Sequence, residues 1–264
     1  MTRQPYDTDM TDAQWNQIDA HFSERPPGSP GAPRKHSYRE LVNACLYAVT
    51  SGCAWRLLPH DLPPWKTVYH YVRRWRKEGL WERLQTTLRH RIRQEAGRQA
   101  EPSAAILDSQ SVKTTEIGGE RGYDVGKQVK GRKRHILVDT LGLLIAVVVT
   151  AASVQDRDGA KTLLGQIKAQ MSRLQLIWAD GAYRGELIEW VQEHCGWILE
   201  IVKRAEGTVG FQVLPRRWVV ERTFGWLNSS RRLSKDYEYL PKQSEAMVQV
   251  AMIRLMLKRL APAS

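Results

Sequence analysis

Apolar positions follow two rhythms along the chain, and the change falls near residue 100. Before it they recur every three or four residues, which is the spacing of one helix face. "MTDAQWNQIDAHF" puts Trp15, Ile18 and Phe22 on one side, with Thr11 placed as an N-cap. "SYRELVNACLYAVTSG" repeats the pattern through Leu41, Cys45, Leu46 and Val49. Ser37 and Glu40 have capping-box spacing, and Gly52 marks the end. "AWRLLP" reads as a short helix stopped by Pro59. "DLPPWKTVYHYVRRWRKEGLWERL" reads as one longer helix that begins at Pro63 and Pro64 and turns Val68, Val72 and Trp75 inward. Residues 24–37, rich in Pro and Gly, read as a linker or loop. Residues 89–103, polar and basic, read as a helix tail and interdomain linker.

After residue 100 the pattern shortens to strands. "AAILDSQSV" predicts one strand, and "RHILVDTLGLLIAVVVTAA" predicts two with a turn at residues 140–142. "DRDGAKTLLGQIKAQMSRL" is amphipathic at helical spacing. "LQLIWADGAY" is a strand ending in an Asp-Gly turn, "GELIEWVQEHCG" a helix stopped by Gly196, "WILEIVKR" a strand, and "VVERTFGWLNSSRRLSKDYE" a helix. The order β, ββ, α, β, α, β, α predicts a mixed sheet with helices on its faces. Its hairpin gives an antiparallel start and its crossovers a parallel finish. The expected class is therefore α/β, an RNase H-like mixed sheet over residues 101–264. An all-α, helix-turn-helix-like region precedes it over residues 1–100.

Composition narrows the class. The 264 residues are 42% apolar and 26% charged, as in ordinary globular proteins. The longest apolar run, residues 141–152, is too short to cross a bilayer, so no membrane partner is expected. The N-terminus has no signal-type pattern. Cys45, Cys53 and Cys195 stand apart without a CxxC, which fits a reducing cytoplasm and neither disulfides nor structural zinc. The net charge of +12 changes the picture more. A chain this basic suits a polyanion, nucleic acid first, although a basic surface without a special partner is the other reading. The longer helix carries Lys66, His70, Arg73, Arg74 and Lys77 away from its apolar side. A short helix, a turn and a basic helix form the arrangement that enters a DNA groove, and a three-helix bundle with a solvated face is the alternative.

Three acids stand where packed elements should not want them: Asp108 at the end of "AAILD", Asp180 after "LIWA", and Glu221 on the last helix. Strand carboxyl ends line the crevice of an α/β sheet, and a helix over the sheet can lower a third acid onto that spot. Carboxylates gathered there repel one another, a penalty that a divalent cation removes. Mg²⁺ takes oxygen ligands, and two such ions can serve in-line phosphodiester attack. Each acid also has a plainer explanation. Asp180 suits a turn before Gly181, Asp108 a cap or loop, and Glu221 an ion pair with Arg217 one helical turn earlier.

"ILDSQSVK", "GYDVGKQVKGRKRHILVDTLGLL", "ADGAYRG" and "RRWVVERTFGWLNSSRRLSKDYE" together resemble a bacterial insertion-sequence transposase of the DDE class, closest to the insertion-sequence-five group. The resemblance runs over nearly the whole chain. It implies a DNA transposase that binds the inverted-repeat ends of its element and carries out metal-dependent cleavage and strand transfer. It places Asp108, Asp180 and Glu221 as the catalytic and metal-binding triad, with two Mg²⁺ ions (Mn²⁺ as the alternative). In the helical signature of related families Arg217 holds its expected place before Glu221, while Leu214 and Asn228 stand at the Tyr and Lys positions. Arg231, Arg232 and Lys235 are then the candidates for phosphate contact, together with Arg217. The short interval between "EIVKR" and "LPRRWVVE" leaves no room for a large inserted domain.

The run "KQVKGRKRH" is expected as a basic loop that holds DNA phosphates through Lys127, Lys130, Arg132, Lys133, Arg134 and His135. A solvated loop without that role is the alternative. Trp226, near Glu221, is expected in the core, with base stacking as the lesser option. The expected assembly is a homodimer on double-stranded DNA, in the bacterial cytoplasm at the nucleoid. A stand-alone nuclease and a DNA-binding regulator on the same fold are the alternatives.

Overall fold

The computed structural model describes residues 3–22, 34–202 and 216–262. Most of the 24–37 linker, Leu214, and most of the interval between "EIVKR" and "LPRRWVVE" lie outside them. The first helices form as their caps direct. In α1 (Asp12–Trp15) the Thr11 hydroxyl accepts from Gln14 N–H. In α2 (Tyr38–Ser51) Ser37 accepts from Glu40 N–H, and both capping boxes are closed by the return bond. Gly52, at φ +74°, ends α2 in the left-handed region where a Cβ would be strained. The single long helix expected next is two, α3 (Trp65–Lys77) and α4 (Leu80–Glu95). Gly79 at φ +66° turns the chain between them, and Trp75 meets Trp81 edge-on across the corner.

The helix tail expected within residues 89–103 runs as far as Glu95, with Arg89 and Arg93 facing the protein and Arg91 exposed. Arg93 Nη1 lies 2.7 Å from Asp139 Oδ2, Arg89 Nη1 donates to the Leu144 carbonyl at 3.2 Å, and Gln85 Nε2 donates to the same carbonyl at 2.9 Å. The helix thus buries a polar stripe, which a hydropathy reading takes for solvent. Its apolar residues Leu84 and Leu88 share one core with Val147 of the sheet and with Met252 near the C-terminus. The change of rhythm near residue 100 marks a change of element type and not a gap between two cores.

The sheet comprises β1 (Ala104–Lys113), β2 (Gly122–Asp124), β3 (Val129–Asp139), β4 (Leu144–Ala151), β5 (Leu176–Ala179) and β6 (Ile198–Ile201). β3 runs antiparallel to β1 along one edge and to β2 and β4 along the other. β5 is parallel to β1, and β6 is parallel to β5. This is the expected antiparallel start and parallel finish, with β2 as an added short strand. Helices α5 (Asp156–Ile167) and α6 (Glu186–Cys195) cover one face, against Ala105, Leu107 and Leu137. Helices α7 (Trp218–Asn228) and α8 (Pro241–Leu260) cover the other, with the N-terminal helices outside them. The pattern of hydrophobic positions did not single out α8. Consecutive residues from Ala246 to Ile253 are buried in it, so it shows no one-sided stripe.

The basic run expected as a loop forms most of β3. Alternation sends Arg132 and Arg134 to one face and Lys133 and His135 to the other, and all four are buried. Arg132 donates to the carbonyls of Glu120, Glu238 and Tyr239 and to Ser244 Oγ, and lies 3.2 Å from Asp236. Arg134 donates to the Leu233 and Lys235 carbonyls. Lys133 Nζ reaches Asp156 at 3.0 Å and the Val154 carbonyl at 2.9 Å. His135 packs against Gly159 of α5, where an added Cβ would stand 2.1 Å from the imidazole. Their hydrogen-bonding capacity and charge serve the fold, so these four do not form the expected DNA-facing loop. Lys127 and Lys130, before the buried stretch, remain exposed.

Candidate active site

Register brings the first two acids together. Ile106 of β1 stands opposite Trp178 of the parallel strand β5, so Asp108 and Asp180 emerge two residues further along each chain at the same level. β1 does not end at Asp108, as expected, but continues to Lys113. It is β5 that ends, at Ala179. Asp180 also fills its plainer role, since its Oδ1 accepts from Ala182 N–H at 2.9 Å and caps the turn Gly181–Tyr183. Glu221 comes from the first turn of α7, which buries Val219, Val220, Phe224 and Leu227 together with Thr223, whose hydroxyl donates to the Gly142 carbonyl. That packing leaves the Glu221 carboxylate at the border, 53% exposed.

A guanidinium stands among the three acids. Arg217 Nη2 lies 3.8 Å from Asp108 Oδ2, 3.6 Å from Asp180 Oδ2 and 3.7 Å from Glu221 Oε1. These are ion-pair separations, too long for hydrogen bonds. The helical pair Arg217–Glu221 thus exists, but as one side of a four-residue cluster. The residue before it, Arg216, has φ +72°, rare for a non-glycine residue, and its guanidinium lies 4.1 Å from the centre of the Trp178 ring. Burial pushes the Asp108 carboxyl up to about 6, with Asp180 adding to the rise and Ser109 N–H and Arg217 opposing it.

Behind Asp108, on the other face of β1, lies a polar network that the sequence did not single out. Ser109 Oγ donates to Asp156 at 2.7 Å, Ser111 Oγ donates to Asp124, and Lys133 lies between the two acids. Tyr183 is buried nearby, with its hydroxyl close to Ser109. Burial and the neighbouring Asp108 and Asp156 carboxylates hold the phenol well above its ordinary range. The alternating polar positions of "DSQS" were the available signal, since Ser109 and Ser111 share a face with the apolar Ala105 and Leu107. Asp156, in the first turn of α5, looked like any acid favoured by a helix dipole.

The other basic candidates divide by burial. Lys66, His70, Arg73, Arg74 and Lys77 are all exposed. With Trp65 and Tyr69 they line an open groove of about 580 Å³ along α3. Arg231 and Lys235 are exposed too. Arg232 is not available as a phosphate contact. It is buried, donates to Glu238 Oε1 at 2.8 Å and to the Cys53 carbonyl at 2.6 Å, and covers the Trp55 ring. Trp226 is partly buried, with Arg222 and Arg259 over its ring at 4.5 and 4.2 Å, which accords with a packing role.

Asp108, Asp180 and Glu221 are the side chains that could hold a metal. They supply hard oxygen donors and gather around a positive charge, which suits a divalent cation. As they stand, no three His, Cys, Asp or Glu among the described residues are close enough to one another to hold an ion. No described helix is long and apolar enough to cross a membrane.

Comparison with known proteins gives the family. Residues 99–256, from β1 into α8, match the family described as Transposase DDE domain. Residues 10–85 match a family described as transposases of the IS4/5 family. A Burkholderia cepacia protein, named as a transposase for insertion sequence element IS402, is 30% identical over 115 residues. That match takes in 41% of this chain and 54% of the relative, so the chain spans about half of the relative's length.

Proposed function

The chain belongs to the transposase DDE family, and from that premise we propose that it is a DNA transposase acting on the inverted-repeat ends of an insertion sequence. The observation that carries the reading is the convergence of Asp108, Asp180 and Glu221 on one cationic centre at the mouth of the sheet. In this reading the three carboxylates hold Mg²⁺, or Mn²⁺, as a pair of ions. When bound, the metal activates the attacking oxygen and stabilises the leaving one during in-line displacement.

The chain's own residues orient that chemistry. Asp108 and Asp180 are fixed by parallel register. Glu221 is positioned by the packing of α7, and its exposed side of the helix faces incoming DNA. Water is the first attacking group, at the end of the element, and the freed 3′ hydroxyl is the second, at target DNA. The α3 groove takes the duplex, with Lys66, His70, Arg73, Arg74 and Lys77 on phosphates and base edges beside Trp65 and Tyr69. Lys127, Lys130, Arg231 and Lys235 add phosphate contacts, and Arg217 is the basic group nearest the reacting centre. Two ends held together require a homodimer on DNA.

An assay with labelled inverted-repeat ends and Mg²⁺ tests the proposal. Cleavage followed by joining is expected, and Asp180→Asn should bind DNA yet lose both steps by roughly 10³-fold or more, the scale of losing an electrostatic partner of the reaction. Cleavage without joining would make the chain a nuclease, binding alone a regulator. Full activity of Asp180→Asn would remove Asp180 from the site.

A further inference from the structure

Among the described residues, Arg217 is the only ion-pair partner of Asp108, of Asp180 and of Glu221. Among the described residues its guanidinium meets the three acids at ion-pair distance and donates no hydrogen bond to them. Its arrival is fixed by the backbone, since Arg216 is turned into the left-handed region and clamped on Trp178 immediately before α7 begins. We propose that Arg217 is an internal counter-cation. It holds the three carboxylates in register while no metal is bound, and a divalent ion must displace it.

The geometry makes the two states exclusive. The acid oxygens stand 3.6–3.8 Å from Nη2. Mg²⁺ would need its ligands to close by about 1.5 Å, which a guanidinium nitrogen among them forbids. Guanidinium cannot deprotonate to step aside, so it must swing out with its charge. Its side chain is 18% exposed, so one edge of it already meets solvent. The inference rests on the metal-binding role proposed above. It adds that metal affinity in this chain is set by competition with one of its own side chains, and that each loading event releases a guanidinium at the mouth of the site.

Mn²⁺ binding to the full chain, followed by electron paramagnetic resonance without DNA, tests this independently of catalysis. Arg217→Gln should bind Mn²⁺ roughly tenfold more tightly than the unaltered chain, because a unit charge a few ångströms from the site no longer opposes the ion. The difference should shrink as salt rises. Arg217→Lys, which keeps the charge, should stay within about threefold of the unaltered chain. Asp108→Asn and Glu221→Gln should each weaken binding. Equal or weaker Mn²⁺ binding by Arg217→Gln, with those two variants still weakened, would overturn the counter-cation and leave the metal site standing. No effect of Asp108→Asn or Glu221→Gln would overturn both. Should Arg217→Gln fail to fold, the Nε resonance of Arg217, assigned through Arg217→Lys, decides. Saturating Mg²⁺ should move it to a solvent-exposed position, and an unmoved resonance would overturn the proposal.

Discussion

Two stretches of this chain are equally rich in bases and meet opposite fates. On α3, Lys66, His70, Arg73, Arg74 and Lys77 are exposed along a groove, where Arg74 pairs with Glu78 at 2.7 Å and the other four have no ion pair among the described residues. On β3, Arg132, Lys133, Arg134 and His135 are buried, and their partners are carbonyls, hydroxyls and acids of the same chain. Charge density does not distinguish the two. What differs is the neighbouring backbone. The basic side chains of α3 are exposed, with Trp55 and Arg56 reaching only Tyr69 and Trp65 beside them, whereas β3 lies inside the sheet with the 231–244 segment over one face and α5 over the other. A basic run is evidence for a polyanion only after the chain's own acceptors have been counted.

The sharpest way to break that comparison is Arg132→Ala. Asp236 would be left buried without its partner, and the Glu238, Tyr239 and Ser244 oxygens without their donor. A loss of about 3–5 kcal/mol is expected, a large share of the roughly 5–15 kcal/mol by which a domain of ordinary stability is folded. Chemical denaturation should show it as a lower midpoint at unchanged slope. An undiminished midpoint would mean that the strand's arginines are dispensable to the fold.

Why one run was legible and the other not follows from what a periodicity reading weighs. It assigns charge to solvent, which succeeds for α3, with Val68, Val72 and Trp75 on the opposite side. It fails for β3, for Arg89 and Arg93 of α4, and for Arg232, where guanidinium groups are packed by the hydrogen bonds they donate to distant segments. The same limit hid α8, which is apolar on too many sides to show a face. The acids were easier. Asp108 and Asp180 each follow an apolar run, and the one condition for their meeting, that the two strands be neighbours, is met by the pairing of β1 with β5, while Glu221 sits at the edge of a plain apolar sector. The cation among them was visible only as a helical neighbour of Glu221. Its contacts with Asp108 and Asp180 depend on the tertiary fold.

The next effect in size is a pH dependence set by one group of the buried run and one acid of the neighbouring strand. Desolvation lowers the His135 imidazole to about 4, from an ordinary 6.5. Below pH 6.5 the unfolded chain takes up a proton that the folded chain refuses. Its contribution to stability is therefore complete above 6.5 and falls away as pH drops towards 4, by up to about 3 kcal/mol. Asp108 works the other way. Its carboxyl is raised from 3.8 to about 6, so folding gains as pH falls through that window. The two nearly cancel in the unaltered chain. Relative to it, His135→Gln should gain stability between pH 6 and 4, while Asp108→Asn should lose it. Parallel curves for all three proteins would show that neither group is buried as its neighbours imply.

The smallest effect tests where the boundary between the two fates lies. Arg73→Ala with Lys77→Ala should leave stability within about 0.5 kcal/mol, since both side chains are exposed. DNA affinity should fall, and the slope of log K against log salt should drop by about 0.9 for each phosphate contact removed. Lys130 is the intermediate case. It lies in β3, yet it is exposed, one turn of the alternation before the buried stretch begins. If exposure decides the role, Lys130→Ala behaves like the α3 pair, with unchanged stability and a salt slope lower by a single contact. If membership of the strand decides it, the slope is unchanged. The two outcomes separate a rule about solvent from a rule about sequence proximity, because Lys130 belongs to the buried run by sequence and to the α3 residues by exposure.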